Sequence, residues 1–200
     1  MTIPAHLKHR IDQLFDRMDR AYDAAARQSG FACAGCENNC CLTRFYHHTL
    51  LEHLYLLEGL AALPLDQQDK IRQQAAAVVE QAAAMERRNQ TVRMMCPLNR
   101  EGRCVLYAHR PMICRLHGIP HALRRPDGRV LTSPGCDDYD AQCGPSEKAR
   151  LDRTPLYAAM AQVERELRQA LGFEGKMKMT IAEMILDDRM AVLSDQTEVP

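Results

Sequence analysis

Cys33-Ala34-Gly35-Cys36-Glu37-Asn38-Asn39-Cys40-Cys41 gathers four of the chain's nine cysteines into one short stretch. Cys33 and Cys36 have the two-residue spacing that lets a turn aim both sulfurs at one metal, with thiolate ligands about 2.3 Å from a bound zinc. The adjacent pair Cys40 and Cys41 behaves differently. Its Cα atoms are about 3.8 Å apart and its side chains diverge, so the two sulfurs suit two different metals, or two irons of one cluster, better than one mononuclear site. A loop rich in Gly and Asn lets backbone N–H groups turn toward bound sulfur, which a regular helix does not. The fold is therefore expected to be built around this segment.

A second group, Cys96, Cys104 and Cys114, is spaced too widely to make a site alone. Its members must converge with each other or with the first loop. Cys136 and Cys143 complete the set. Sulfur-only ligation suits zinc, Cu(I) and iron–sulfur clusters and is wrong for magnesium or calcium. Seven or eight thiolates allow two four-cysteine sites, one multinuclear cluster, or one site with structural thiols beside it.

Working outward, the pattern is helical. Leu7, Ile11, Leu14, Met18 and Tyr22 recur at steps of three and four, predicting a helix from about Pro4 to Gln28 that Ser29-Gly30 ends. Thr49 and Glu52 read as a capping box opening a helix that stops near Pro64, and Asp66 is expected to cap another reaching about Val92. The two are expected to form an antiparallel hairpin. From Cys96 to Gly144, Pro and Gly break the periodicity, and Arg125-Pro126-Asp127-Gly128-Arg129 predicts a small β-hairpin. Thr154 is expected as the N-cap and Pro155 as the first-turn proline of a helix that Gly172 ends, and Thr180 with Glu183 caps a last helix toward Met190. The expected fold is mainly α: one helical domain over residues 1–193 around a loop-rich, cysteine-lined metal centre, with residues 194–200 a loose tail.

Charge and composition narrow the function. Lys plus Arg and Asp plus Glu are 26 each, and Trp is absent. No global field or stacking platform favours nucleic acid. The N-terminus lacks a secretory h-region, and no apolar run approaches the roughly 18 residues that span a bilayer. A cytoplasmic protein with no membrane partner is expected. There, clustered cysteines bind metal or do redox chemistry more often than they form disulfides. A chain of this length buries roughly 70% of its unfolded surface and needs no cross-links to have a core.

The combined pattern resembles the YkgJ-type cysteine-cluster family, described as zinc- or iron-chelating domains with a CxxCxxCC signature. The resemblance rests on Cys33–Cys41, Cys96-Pro97, Gly102-Arg103-Cys104-Val105-Leu106-Tyr107 and Arg110-Pro111-Met112-Ile113-Cys114-Arg115, covering residues 30–145. It departs from the family in having three residues, not two, between Cys36 and Cys40. The resemblance implies about eight ligands: Cys33, Cys36, Cys40, Cys41, Cys96, Cys104, Cys114 and one of the last two cysteines. Flagellin lysine methylases share this pattern, and no single role belongs to the family. Cys143 is preferred as the last ligand because Gly144 lets backbone approach a metal, whereas Asp137, Asp138 and Asp140 crowd Cys136 with negative charge.

Other candidates have plainer readings beside them. Arg110 and Arg115 bracket Cys114 and either offset thiolate charge or form structural ion pairs. His47, His48 and His117 are ligands, proton carriers or simple capping groups. Met94, Met95, Met177 and Met179 read as core filler, and the acidic run at 137–140 as a solvated loop. No dinucleotide, P-loop, GxSxG or HExxH motif is present. The expected function is a metal-binding protein holding an iron–sulfur (or iron) centre. The alternatives are a structural zinc module that recruits a protein partner, and a metal-dependent protein- or peptide-modifying enzyme.

Overall fold

The computed structural model describes residues 1–33, 39–144 and 151–187. It is mainly helical: α1 (Ala5–Ser29), α2 (Leu50–Ala61), α3 (Leu65–Arg87), α4 (Met112–Arg115), α5 (Asp137–Cys143), α6 (Thr154–Leu171) and α7 (Ile181–Leu186). Five short strands accompany them: β1 (Asn99–Arg100), β2 (Arg103–Cys104), β3 (His121–Arg124), β4 (Val130–Ser133) and β5 (Leu151–Asp152). No described helix is long and apolar enough to cross a membrane.

Helix ends follow local chemistry. α1, α3 and α6 all close with the same device. A residue at positive φ (Gly30 at 75°, Asn89 at 54°, Gly172 at 62°) turns the chain, and the next residue's N–H reaches back to the final turn. The bonds are Phe31 N–H to the Ala26 carbonyl at 3.0 Å, Gln90 to Met85 at 2.9 Å and Phe173 to Arg168 at 3.0 Å. Asn89 therefore stops α3 at Arg87, short of the expected Val92, because Asn tolerates the left-handed conformation nearly as glycine does. Two expected caps also differ. Pro64, not Asp66, occupies the N-cap of α3, and Asp66 sits in its first turn. At α6 the Thr154 hydroxyl accepts from Arg124 N–H, while Asp152 accepts from Thr154 N–H, so the acid takes the capping role. The Thr180–Glu183 capping box forms in full. The helix it opens ends at Leu186, and the stretch toward Met190 lies beyond the described residues.

The chain divides into two compact units. One takes Met1–Pro4, Cys41–Pro111 and Leu167 onward. Its core joins Leu56 and Leu60 of α2, Ile71 and Ala75 of α3, Leu98, Leu106, and Ala182, Met184 and Ile185 of α7. α7, rather than α2, is the closest helical neighbour of α3. Thr49 caps α2 by accepting from Glu52 N–H, and buried His53 ties α2 to α7 through the Met184 carbonyl at 3.0 Å. Gly59 on α2 leaves room for His109, whose ring lies 4.7 Å from that of Tyr55.

The other unit takes Ala5–Cys40 and Met112–Glu166. Leu7, Ile11, Leu14, Phe15 and Met18 line the buried face of α1, which packs on α4 and β5. The predicted hairpin is present, with His121↔Ser133 to Arg124↔Val130 in antiparallel register. β5, which sequence periodicity did not reveal at two residues long, adds in parallel to β3. The acidic run is the first turn of α5 rather than a solvated loop. Its acids stand at the positive end of that helix, and Tyr139 turns inward against Phe31 at 5.1 Å.

Gly59→Ala tests the α2 packing. Adding a methyl inside a helix ordinarily stabilises it by about 1 kcal/mol. Here the new Cβ would lie 2.4 Å from His109 Cγ. We expect the substitution to destabilise the protein by about 1–3 kcal/mol in urea unfolding. Unchanged or increased stability would show that His109 does not hold this position.

Candidate metal centre

The segment from Cys96 to Cys104 folds back on itself. β1 and β2 pair with Asn99 opposite Cys104 and Arg100 opposite Arg103. Glu101 and Gly102, both at positive φ (50° and 83°), make the two-residue turn. This is the twist a tight hairpin demands, and glycine supplies its second position without cost. Asn99 Oδ1 accepts from Gly102 N–H at 3.1 Å, its own N–H donates to the Cys96 carbonyl at 3.0 Å, and Val105 N–H donates to Leu98 at 2.9 Å. Buried Leu98 and Leu106 anchor the two arms in the core. Sequence periodicity missed this hairpin because its strands are two residues each. The signal was the Glu-Gly pair between Arg100 and Arg103.

The first cysteine stretch reaches this hairpin through its last member. Cys41 and Leu42 belong to a short 3₁₀ turn, Cys40–Leu42, and the Cys41 carbonyl accepts from Cys96 N–H at 2.8 Å. Leu98 N–H donates to the Cys96 sulfur. Cys96 as a residue is half-buried, but its thiol packs on the leucine core and is pushed up from 9.0 to about 12. Burial is the main cause. The Leu98 N–H works against it, and negative charge on Cys41 or Cys104 adds to it. Cys41 and Cys104 are thus electrostatic neighbours of Cys96. A bound cation reverses that logic, since a coordinating thiol gives up its proton.

Cys36 lies outside the described residues. Cys33 is exposed at the end of the segment following α1, while Cys40 and Cys114, the latter in α4, are half-buried. Cys136 is the N-cap of α5, its sulfur accepting from Tyr139 N–H at 3.4 Å, and Cys143 is the last residue of the same helix, just before Gly144 at φ 73°. Among the described residues, no three His, Cys, Asp or Glu side chains stand close enough together to hold a metal ion. The donor chemistry fits a soft metal, and the described geometry supplies a nucleus of neighbouring thiols rather than a finished cage.

The flanking cations have structural employment. Arg115 is buried, paired with Asp19, and lies 4.5 Å over the Phe15 ring. Arg110 covers Tyr107 at 3.5 Å and donates to its carbonyl. His48 bonds the Met177 carbonyl, and the His47 ring is buried 3.9 Å from Glu52. Met177 is buried, and Met179 packs against the core.

In metal-stripped protein at mildly alkaline pH, we expect iodoacetamide to modify exposed Cys33 quickly and Cys96 far more slowly. A thiol whose pKa is higher in the folded than in the unfolded chain supports folding below about pH 9. That support drains away as pH rises from 9.0 toward about 12. Peptide-resolved alkylation across this range checks the order, and Cys96 reacting as fast as Cys33 would contradict it.

Compared with family models, with curated proteins and with solved structures, the chain finds no match.

Proposed function

We propose that this protein binds metal through clustered cysteine thiolates and holds an iron–sulfur (or iron) centre, with Cys41, Cys96 and Cys104 as its nucleus. The observation that carries the reading is the meeting of Cys41 with the β1–β2 hairpin. Cys104 lies in β2 and Cys96 in the turn just before β1, the Cys41 carbonyl accepts from Cys96 N–H, and the Leu98 N–H bears on the Cys96 sulfur. A Cys96 thiol whose ionisation is opposed by burial and by charge on Cys41 or Cys104 gains most from a cation brought to it. The resemblance to the YkgJ-type cysteine-cluster family supports the same reading and brings in Cys33, Cys36, Cys40, Cys114 and Cys143 as further ligands. Cys136 is left aside, since its sulfur already caps α5.

Iron is preferred to zinc because the vicinal Cys40-Cys41 pair and the surplus of thiols suit more than one metal atom. When bound, such a centre supplies electron transfer or a rigid cross-link. The protein's part is to provide thiolates, a dry setting from Leu98 and Leu106, and N–H groups to sulfur.

The test is metal and sulfide analysis of protein purified without oxygen, followed by visible spectroscopy. Brown protein with matched iron and sulfide is expected. Cys41→Ser, Cys96→Ser and Cys104→Ser should each lose most of the metal, and because such sites contribute on the order of 10 kcal/mol of apparent binding energy, they should also melt earlier. Cys143→Ser should lose metal and Cys136→Ser retain it. Colourless protein with stoichiometric zinc would replace the iron–sulfur reading with a structural zinc module. Full metal content in all three nucleus variants would sink the assignment.

A further inference from the structure

The unit containing α1 and β3–β5 holds two arginines that are almost wholly buried, Arg115 and Arg153, each with 3% of its surface exposed. A buried guanidinium is normally matched by a carboxylate, because an uncompensated charge out of water is costly. Arg115 obeys this rule through Asp19. Arg153 does not. Its guanidinium donates to the Leu116 carbonyl and to the Tyr157 hydroxyl, both uncharged groups, and its Nε is buried with no hydrogen-bond partner. The adjacent acid, Asp152, is turned away to cap α6 through Thr154 and is influenced by Arg124 instead.

Two imidazoles lie within reach of the Arg153 charge. His121 and His117 both feel its positive charge. Burial, and then Arg153, hold His121 down at about 4, so its imidazole is neutral at physiological pH. The Ile119 carbonyl opposes that shift, yet His121 Nδ1 is itself buried with no hydrogen bond made to it. The start of α6, which follows Arg153, is already capped by the Asp152 carboxylate through Thr154 N–H. Among the described residues, a buried cation without an acid and a neighbouring imidazole nitrogen with nothing bonded to it both lack an anionic partner.

We infer that Arg153, with His121, forms a binding site for a small oxyanion, a phosphate or carboxylate group. Nε and a terminal nitrogen of a guanidinium present two parallel N–H donors, the fork that such groups accept. A neutral imidazole adds one more N–H. The site is independent of the cysteine centre, and neither reading depends on the other.

The experiment is titration of the full chain, in its as-purified metal state, with inorganic phosphate, with acetate, and with sodium chloride at matched ionic strength. The readouts are the imidazole NMR resonances of His121 and His117 and the melting temperature. Saturable movement of the His121 resonances and a rise in melting temperature are expected with one of the two oxyanions and not with chloride. Phosphate acting alone identifies a phosphate group as the ligand, and acetate acting alone a carboxylate. Arg153→Lys keeps the charge but loses the fork and should weaken binding roughly tenfold. His121→Gln leaves the Arg153 bonds to Leu116 and Tyr157 intact and should weaken it several-fold, which guards against Arg153 variants that fail to fold. Metal content is measured on each variant, so a loss of metal is told apart from a loss of anion binding. A response equal to that of chloride, or one unchanged in both variants, overturns the inference.

Discussion

A thiol packed among leucines keeps its proton unless positive charge comes to it, and this constraint organises the unit that holds Cys96. Leu98 and Leu106 anchor the β1–β2 hairpin in the core, and burial against that core raises the cost of ionising the Cys96 sulfur. Backbone groups meet part of that cost, since the Leu98 N–H faces the Cys96 sulfur. The Cys41 carbonyl fixes the 3₁₀ turn against the hairpin through Cys96 N–H. Local geometry, core packing and the reactivity of the cysteines therefore vary together. Loosening the leucines would make Cys96 more acidic and less well positioned at once.

Buried charge is handled differently around the two arginines. Arg115 illustrates the ordinary solution, an aspartate partner and an aromatic face, so this cation next to Cys114 stabilises α1 against α4. Arg153 is held by a carbonyl and a hydroxyl, which orient it without neutralising it. A guanidinium held this way is positioned more firmly than it is satisfied. The histidines beside it are held down first by burial and then by its charge.

Much of the helical framework was legible in the sequence, because apolar spacing and glycine stops act over short distances. The stripe on α1, the stops at Gly30 and Gly172, the Thr180 capping box and the hairpin around Asp127-Gly128 are all in the structure. What periodicity could not show was decided by long-range partners or by single residues of unusual conformation. Asn89 ends α3 by adopting positive φ, Asp152 displaces Thr154 as a cap, and β5 exists only because β3 is there to pair with it. The site was partly legible. The cysteine types and their two groups were plain, but Cys136 as a helix cap and the employment of Arg110 and Arg115 in packing depend on neighbours distant in sequence. Arg153 carries no motif at all. Its burial, with no acid beside it among the described residues, is what marks it.

The joining of α2 and α3 to α7 bears on how the chain is made. Leu56, Leu60, Ile71 and Ala75 complete their core with Ala182, Met184 and Ile185, and His47 pairs with Met179 through reciprocal backbone bonds of 2.7 and 3.0 Å. Everything from Met112 to Glu166 is translated between those partners. At roughly 5–20 residues per second, the apolar faces of α2 and α3 wait several seconds on the ribosome before α7 emerges to cover them. During that interval the nascent chain exposes both its leucines and its first cysteines, which makes this the stage of its life most open to chaperone capture and to premature oxidation.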